Sequence, residues 1–281
     1  MILARRRIAL WVEERDGEPA VNPILRETLR ACDAAGARTR VLVPERHAVD
    51  AADPARSLGA VDLILLKSAT TFALSCALAM EAAGVRSLNA ARATVRAHDK
   101  AAVVGYLAAA GLPVPPTFLH VPPATSEHDP PGAWIAKPTY GVHGAGLVRG
   151  ASFAGARDQP GASSGTLVVD DGTRLLQAWI GGQDPDTKVY VAGDRSFAGV
   201  KRSTPTSYRS DDIAPIELDE AAAAIVRATG DALGLRCYGV DLRYEAGRPV
   251  IIDANPFPGY RGFPGAAAAL FAEIERALGP S

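Results

Sequence analysis

At 281 residues the chain is long enough for a large core divided among two or three subdomains, and its 48% hydrophobic and 22% charged residues exclude a disordered chain. Its 30 Lys and Arg against 31 Asp and Glu leave a formal net charge of −1, which excludes broad electrostatic binding to nucleic acid or an anionic membrane. Cys32, Cys76 and Cys237 are widely spaced with no CxxC, which excludes a disulfide framework or zinc site and suits a reducing cytosol. The stretch Met1–Glu14 lacks the apolar core of a secretion signal, and no run approaches the about 18 apolar residues of a membrane span, so a soluble, cytoplasmic chain is expected.

Ile8–Val12 reads as a short strand. Asn22 then caps a helix with Pro23 at its first position, running to about Ala35 with Ile24, Leu25, Leu29 and Cys32 inward. Arg40–Val43 and Val61–Leu66 read as apolar strands of a parallel sheet covered on both faces. Thr70 or Thr71 caps a helix through Ala83 that ends at Gly84. This β-α-β alternation predicts a small Rossmann-like domain over residues 1–92. No GxGxxG follows its first strand and no GxxxxGK[ST] occurs anywhere, so neither a dinucleotide fold nor a P-loop is expected.

Ala91–Ala110 reads as one helix carrying His98-Asp99-Lys100 and ending at Gly111, before the prolines that follow. Ala133–Lys137 is a strand running into a glycine-rich loop, with Leu147-Val148 beyond it. Gly141, Gly144 and Gly146 let backbone N–H groups approach an anion there, and Lys137 at the base can reach a phosphate. Gly150–Gly165, rich in Gly, Ala and Ser, carries no predicted element. Thr166–Val169 and Arg174–Ile180 read as strands, and Lys188–Ala192 with Phe197–Arg202 as a hairpin about Gly193-Asp194. Leu218–Leu233 and Ala266–Leu278 are helices, and the histidines His47, His98, His120 and His128 form no metal-ligand spacing.

The most informative stretch is Leu235–Gly262. Two apolar runs, Cys237–Tyr244 and Pro249–Ala254, flank Glu245-Ala246-Gly247-Arg248, a hairpin signal. A turn centred on Gly247 puts Asp241 directly opposite Asp253, with Cβ atoms roughly 5 Å apart and like charges repelling. Asn255 falls on the same face by strand alternation. Two carboxylates and an amide oxygen facing one spot suit a hard divalent cation such as Mg²⁺.

Taken in order, the segments from about Leu88 to Gly265 resemble an ATP-grasp protein, of the branch holding RimK-like amino-acid ligases and inositol trisphosphate 5/6-kinases. Leu88-Asn89, Asp99-Lys100 and Gly111–Thr117 are similar to the family's first phosphate-lysine segment. Ala136-Lys137-Pro138 with its glycine loop resembles the second phosphate lysine and lid, and Leu176–Ile180 the adenine-holding hinge. Asp186-Thr187-Lys188 is similar to the acidic-x-basic strand, Lys201-Arg202 to the transition-state cation, and Asp241…Asp253-Ala254-Asn255 to the metal-bridging acids and asparagine. There are departures. RimK-type ligases usually carry Glu where Asp253 stands, the ligases' asparagine is absent from Ser203–Ile213, and Gly150–Gly165 replaces the helix between the lid strands.

The resemblance implies an α/β (α+β) class ATP-grasp fold with an N-terminal Rossmann-like pre-ATP-grasp domain. The ATP-grasp domain would span residues 93–281, with a lid at about 115–179 and a metal-binding subdomain at about 180–281. It implies a carboxylate–amine ligase working through an acyl phosphate, with a polyol-phosphate kinase as the alternative. The cofactors would be ATP and Mg²⁺, two ions, with Mn²⁺ able to substitute. The substrates would be a small acid and an amine (an amino acid or peptide), without nucleic acid or membrane, and a homodimer is compatible. Arg202 and Lys188 would be catalytic. Lys100, Lys137, Gly141, Gly144, Gly146, Gln177, Trp179, Ile180 and Asp186 would hold ATP. Asp241, Asp253 and Asn255 would hold metal, and Gly259, Arg261 and Arg209 would meet the substrate. A two-residue turn at Gly193-Asp194 would set Lys201 on Lys188's face and a three-residue turn Arg202; the resemblance selects Arg202.

Overall fold

The computed structural model describes residues 2–121, 129–140, 147–150, 152–157, 173–181, 186–201 and 213–279. Alternation in the first strand sets up its first layer. Ile8 and Leu10 of β1 (Arg7–Trp11) point into one core while Ala9 and Trp11 point into another. A two-stranded ribbon, β2 (Glu14–Arg15) and β3 (Glu18–Pro19), follows. Then comes α1 (Pro23–Ala34), whose Asn22 cap accepts from Leu25 N–H at 3.0 Å. Next are β4 (Arg38–Leu42), α2 (Pro54–Leu58), β5 (Leu63–Leu66), α3 (Thr71–Ala82) capped by Thr70, and β6 (Arg86–Leu88). The strands form a parallel sheet in the order β4-β1-β5-β6, with α1 on one face and α3 on the other.

Three details differ from the sequence reading. Thr28 is buried on α1 where Ile24 is half-buried, because Thr28 satisfies its hydroxyl on the Ile24 carbonyl at 2.9 Å. Arg40–Val43 was expected to be covered on both faces. The strand is instead an edge, paired with β1 alone, with Arg38, Arg40 and Val41 exposed. β6 and α2 were not foreseen, since neither carries a long apolar run.

The expected single helix Ala91–Ala110 is two: α4 (Ala91–His98) and α5 (Lys100–Ala109). Asp99 breaks it. Its backbone is extended and its carboxylate accepts from Ala101 N–H at 2.9 Å and Ala102 N–H at 3.1 Å, so it caps the second helix. Lys100 therefore stands at the first turn of α5.

The second sheet is antiparallel, in the order β7-β10-β8-β9, from β7 (Thr117–His120), β8 (Trp134–Pro138), β9 (Val148–Gly150) and β10 (Arg174–Ala178). A short helix, α6 (Phe153–Arg157), lies within Gly150–Gly165, where none was expected. Phe153 and Ala156 bury against Trp134 and Leu176, and Gly150 permits the contact, since a Cβ there would meet Ala156 N at 2.3 Å. Thr166–Val169, expected as a strand, lies outside the described residues.

The third sheet, in the order β13-β12-β11-β14-β15, is also antiparallel. It comprises β11 (Thr187–Ala192), β12 (Arg195–Lys201), β13 (Ile213–Ile216), β14 (Cys237–Glu245) and β15 (Arg248–Pro256). Its one face packs Val189, Val240 and Leu242 against α5 and α7 (Glu220–Leu233). The other shares a core with the first sheet and α8 (Ala266–Leu278) through Cys237, Phe257, Tyr260 and Phe263. Asn89, at the end of β6, locks the layers: its Oδ1 accepts from Arg236 and Cys237 N–H at 2.8 Å each, and its Nδ2 donates to Cys237 O.

Candidate active site

The site is built on the β14–β15 hairpin. Asp241 faces Asp253 across the pair, and Asn255 faces Gly239. The route to that register differs from the one expected. The turn is two residues, Ala246 and Gly247, both at positive φ (49° and 77°), with Glu245 paired to Arg248. That register alone would bring Ile252 opposite Asp241. A β-bulge between Asp241 and Leu242 takes Ile252 out of the ladder and restores Asp253 to the position.

Two lysines engage the two carboxylates. Lys100 Nζ donates to Asp253 Oδ1 at 3.0 Å and Oδ2 at 3.2 Å, and Asn255 Nδ2 adds a bond to Oδ2 at 3.1 Å. Burial alone would raise Asp253; Lys100 and then Lys137 outweigh it and hold the carboxyl at about 2. Lys188 Nζ lies 2.5 Å from Asp241 Oδ2. Burial pulls the Lys188 ammonium down, but Asp241 outweighs it and keeps it above the ordinary lysine range. Asp241 is itself raised: burial and the Asp253 charge together exceed the help from Lys188.

Lys137 is held differently. It is buried and donates to neutral acceptors, Gln177 Oε1 at 2.7 Å and the Ile252 carbonyl at 3.0 Å. Burial lowers its pKa, with Lys100 adding to the effect against Asp253. An ammonium in that setting gains most from an incoming anion. The crevice around these groups is floored by Val103, Val104, Leu107, Leu175 and Ile251.

The hinge is braced from the third sheet. Arg243 donates to Asp186 Oδ1 at 2.6 Å and to the Ile180 carbonyl at 2.9 Å, and its guanidinium lies 4.2 Å from the Trp179 ring centre. Arg149 of the second sheet lies 4.3 Å from the same ring. The Trp179 N–H, expected to be offered to adenine, is donated to the Ala133 carbonyl at 2.9 Å. The Ile180 carbonyl is shared with Arg243.

Gly259 lies where Asn22 Nδ2 donates to its carbonyl at 3.0 Å, and Arg261 lies on the exposed side of the same segment. Gly141, Gly144, Gly146, Arg202 and Arg209 lie outside the described residues. The β11–β12 connection is a two-residue turn, Ala192 pairing with Arg195 and Lys188 with Gly199, the turn length for which the sequence reading selected Lys201 over Arg202.

Sequence reasoning missed five contributors. Arg243 and the Ile252 carbonyl carried no local signal. Asp99 was readable as a cap, and Tyr140 hydroxyl donates to Asp99 Oδ2 at 3.1 Å while Thr139 carbonyl accepts from Lys100 N–H at 3.0 Å. Together they seat the end of β8 on the start of α5, fixing Lys100 and Lys137 on one unit.

Among the described residues no group of three or more His, Cys, Asp or Glu gathers to hold a metal. Two facing carboxylates with an amide oxygen fit a cation that completes its shell with phosphate oxygens and water, as Mg²⁺ does. The raised Asp241 carboxyl beside Asp253 is the repulsion that such a cation relieves.

No family model matches the sequence. The chain is 27% identical over 266 residues, covering 86% of it and 89% of the relative, to a Stenotrophomonas maltophilia protein named "Probable alpha-L-glutamate ligase". Among solved structures it is similar to a RimK domain ATP-grasp protein from Sphaerobacter thermophilus (TM-score 0.70, 19% identity, 97% of this chain and 99% of the other). It is likewise similar to a D-cycloserine synthetase (TM-score 0.71, 19% identity, 97% of this chain and 100% of the other). The chain has an ATP-grasp fold, and the proteins it is similar to include a RimK domain ATP-grasp protein and proteins named as probable alpha-L-glutamate ligases.

Proposed function

We propose that the chain is an ATP-dependent carboxylate–amine ligase that activates an acid as its acyl phosphate. The observation that carries this is the convergence of Lys100, Lys137 and Lys188 on the facing pair Asp241 and Asp253. Such a set binds phosphate groups and offers no protein nucleophile, which suits phosphoryl transfer by positioning and charge neutralisation. Asp241, Asp253 and Asn255 would hold Mg²⁺. When bound, it would supply charge neutralisation across the transferred phosphate.

Lys137, which bonds no carboxylate among the described residues, would receive phosphate without first breaking an ion pair there. Lys100 and Lys188 are bonded to the two carboxylates, which places both ammonium groups where they would neutralise phosphate and acyl oxygens. The floor of Val103, Leu107, Leu175 and Ile251 keeps water from the reacting group. The cation for the tetrahedral oxyanion comes from Lys201-Arg202, the turn favouring the first and the family resemblance the second.

Oxygen bookkeeping tests the reaction. With ¹⁸O in the acid's carboxylate, label should appear in released phosphate, with ADP and phosphate equal and turnover requiring both acid and amine. ADP without free phosphate, alongside a phosphorylated hydroxyl compound, overturns the ligase and supports a kinase.

A further inference from the structure

The site-bearing face of the third sheet is laid out in rows of facing residues. Lys188, Asp241 and Asp253 form one row, and Tyr190, Gly239 and Asn255 form the next. Two residues along an antiparallel strand span roughly 7 Å, and alternation keeps both rows on one face. Lys137 bonds the carbonyl of Ile252, and Arg243 holds Asp186 at 2.6 Å. Both contacts lie on the opposite side of the Asp241–Asp253 row, toward the hinge. Lys137 and Tyr190 thus flank the carboxylate pair.

Tyr190 is half-buried, and its ring is fixed from behind. Tyr260 and Phe263 pack edge-on against it, with ring centres 5.8 and 5.4 Å away. Gly239 makes room for it: a Cβ there would meet the ring's Cδ1 at 3.2 Å and Pro258 Cβ at 3.5 Å. The hydroxyls of Tyr140, Tyr238, Tyr244 and Tyr260 each donate to a carboxylate or a carbonyl. That of Tyr190 has no hydrogen-bond partner among the described residues, yet it is not sealed from solvent. A tyrosine that packs its ring and leaves its hydroxyl open offers a donor to whatever enters. Burial raises the phenol above its ordinary range, Lys188 opposing and Asp241 adding, so the group is protonated and neutral at physiological pH.

Position selects what this donor meets. In phosphoryl transfer the attacking and leaving oxygens lie roughly in line through phosphorus. With ATP's phosphates at Lys100 and Lys137, the attacking group would arrive from the Tyr190 side of the carboxylates.

We propose that Tyr190 is a further catalytic residue, a neutral donor to the carboxylate of the acid substrate. Its O–H bonds the carboxylate oxygen that does not attack phosphorus. That oxygen is the carbonyl of the acyl phosphate and becomes the oxyanion when the amine adds, so the hydrogen bond strengthens as charge gathers there. Tyr190 gives up no proton. The attacking carboxylate is already an anion, and the amine's proton leaves with the departing phosphate or to water. The inference rests on the ligase reading for the identity of the acceptor, but the placement of the hydroxyl does not.

The test uses the full chain with Mg²⁺-ATP and hydroxylamine as the amine, which converts an acyl phosphate to a hydroxamate read as its iron complex. The acids supplied are the proteinogenic amino acids and a tryptic peptide digest. Tyr190→Phe should lower kcat for hydroxamate about a hundredfold, as loss of one oxyanion donor does. Its KM for ATP and its Mg²⁺-ADP affinity by calorimetry should stay within about twofold of wild type, because the nucleotide lies across the carboxylates from the hydroxyl. The thermal midpoint should be unchanged, since both ring contacts remain. Gly239→Ala, which keeps the hydroxyl but crowds the ring, should lower the same kcat about tenfold. A wild-type kcat in Tyr190→Phe overturns the proposal. So does a loss of Mg²⁺-ADP affinity that matches the loss of rate, which would put the hydroxyl on the nucleotide. A wild-type chain that forms no hydroxamate from any of these acids overturns the ligase reading, and the acceptor role with it.

Discussion

Lys137 donates a 3.0 Å hydrogen bond to the carbonyl of Ile252, the residue that the β-bulge takes out of the hairpin ladder. A bulge leaves one residue unpaired, and here its oxygen accepts from a buried lysine of another sheet. The next residue is Asp253. The same irregularity thus sets the spacing between the acid and Lys137.

Deleting Ile252 should therefore preserve the fold but damage nucleotide binding. Leu242 would still face Ile251 and Asp241 would still face Asp253 in a regular ladder, while Lys137 would lose an acceptor. Circular dichroism should be unchanged, and ATP should bind about tenfold more weakly by calorimetry, the loss of about 1.4 kcal/mol. Unaltered ATP affinity would show that the bulge has no part in placing Lys137.

The Lys100–Asp253 pair predicts a pH-dependent stability in metal-free protein. A carboxyl held at about 2 against an ordinary 3.8 contributes stability that is full above about pH 4 and fades as pH falls through 2. Lys100→Met should cost on the order of 2 kcal/mol in urea unfolding at pH 6 in EDTA. The difference from wild type should narrow as pH drops from 4 toward 2. A gap that stays constant with pH would assign the loss to packing instead of charge.

Asp99 and Tyr140 separate helix capping from site assembly. Asp99→Ala removes the cap of α5 and the Tyr140 partner together, and should lower stability by about 1 kcal/mol. Tyr140→Phe leaves the cap and removes one exposed bond, so stability should stay within about 0.5 kcal/mol of wild type. Both should raise the KM for ATP, Asp99→Ala more, because Lys100 and Lys137 are placed by this joint. Unfolding curves and initial rates check the two effects independently.

Arg243→Lys keeps the charge but gives up the fork that reaches Asp186 and Ile180 at once. Trp11 and Trp134 are 0% and 2% exposed, so a change at the hinge should appear in Trp179 emission alone. The variant should shift that emission to longer wavelength, with Trp179→Phe abolishing the shift. An unchanged spectrum would remove Arg243 as the brace.

Read alone, the chain specifies the alternation of the parallel layer, the cap at Asn22 and one at Thr70 or Thr71, and the meeting of Asp241 with Asp253 on one hairpin face. Each of these depends on period-two or cap chemistry within a few residues, which a single chain spells out. Even there, one reading was right by compensation: the expected turn was one residue too long, and the bulge at Ile252 made up the difference. The single helix across Ala91–Ala110 failed because apolar periodicity continues through Asp99 while its carboxylate caps the next turn. Only tertiary structure decided that Lys100, Lys137 and Lys188 converge, since they come from a helix start and two different sheets. It likewise decided that Arg243 reaches Asp186 and the Ile180 carbonyl at once. Contacts between residues tens to more than a hundred positions apart are set by how layers pack, and no local pattern encodes them.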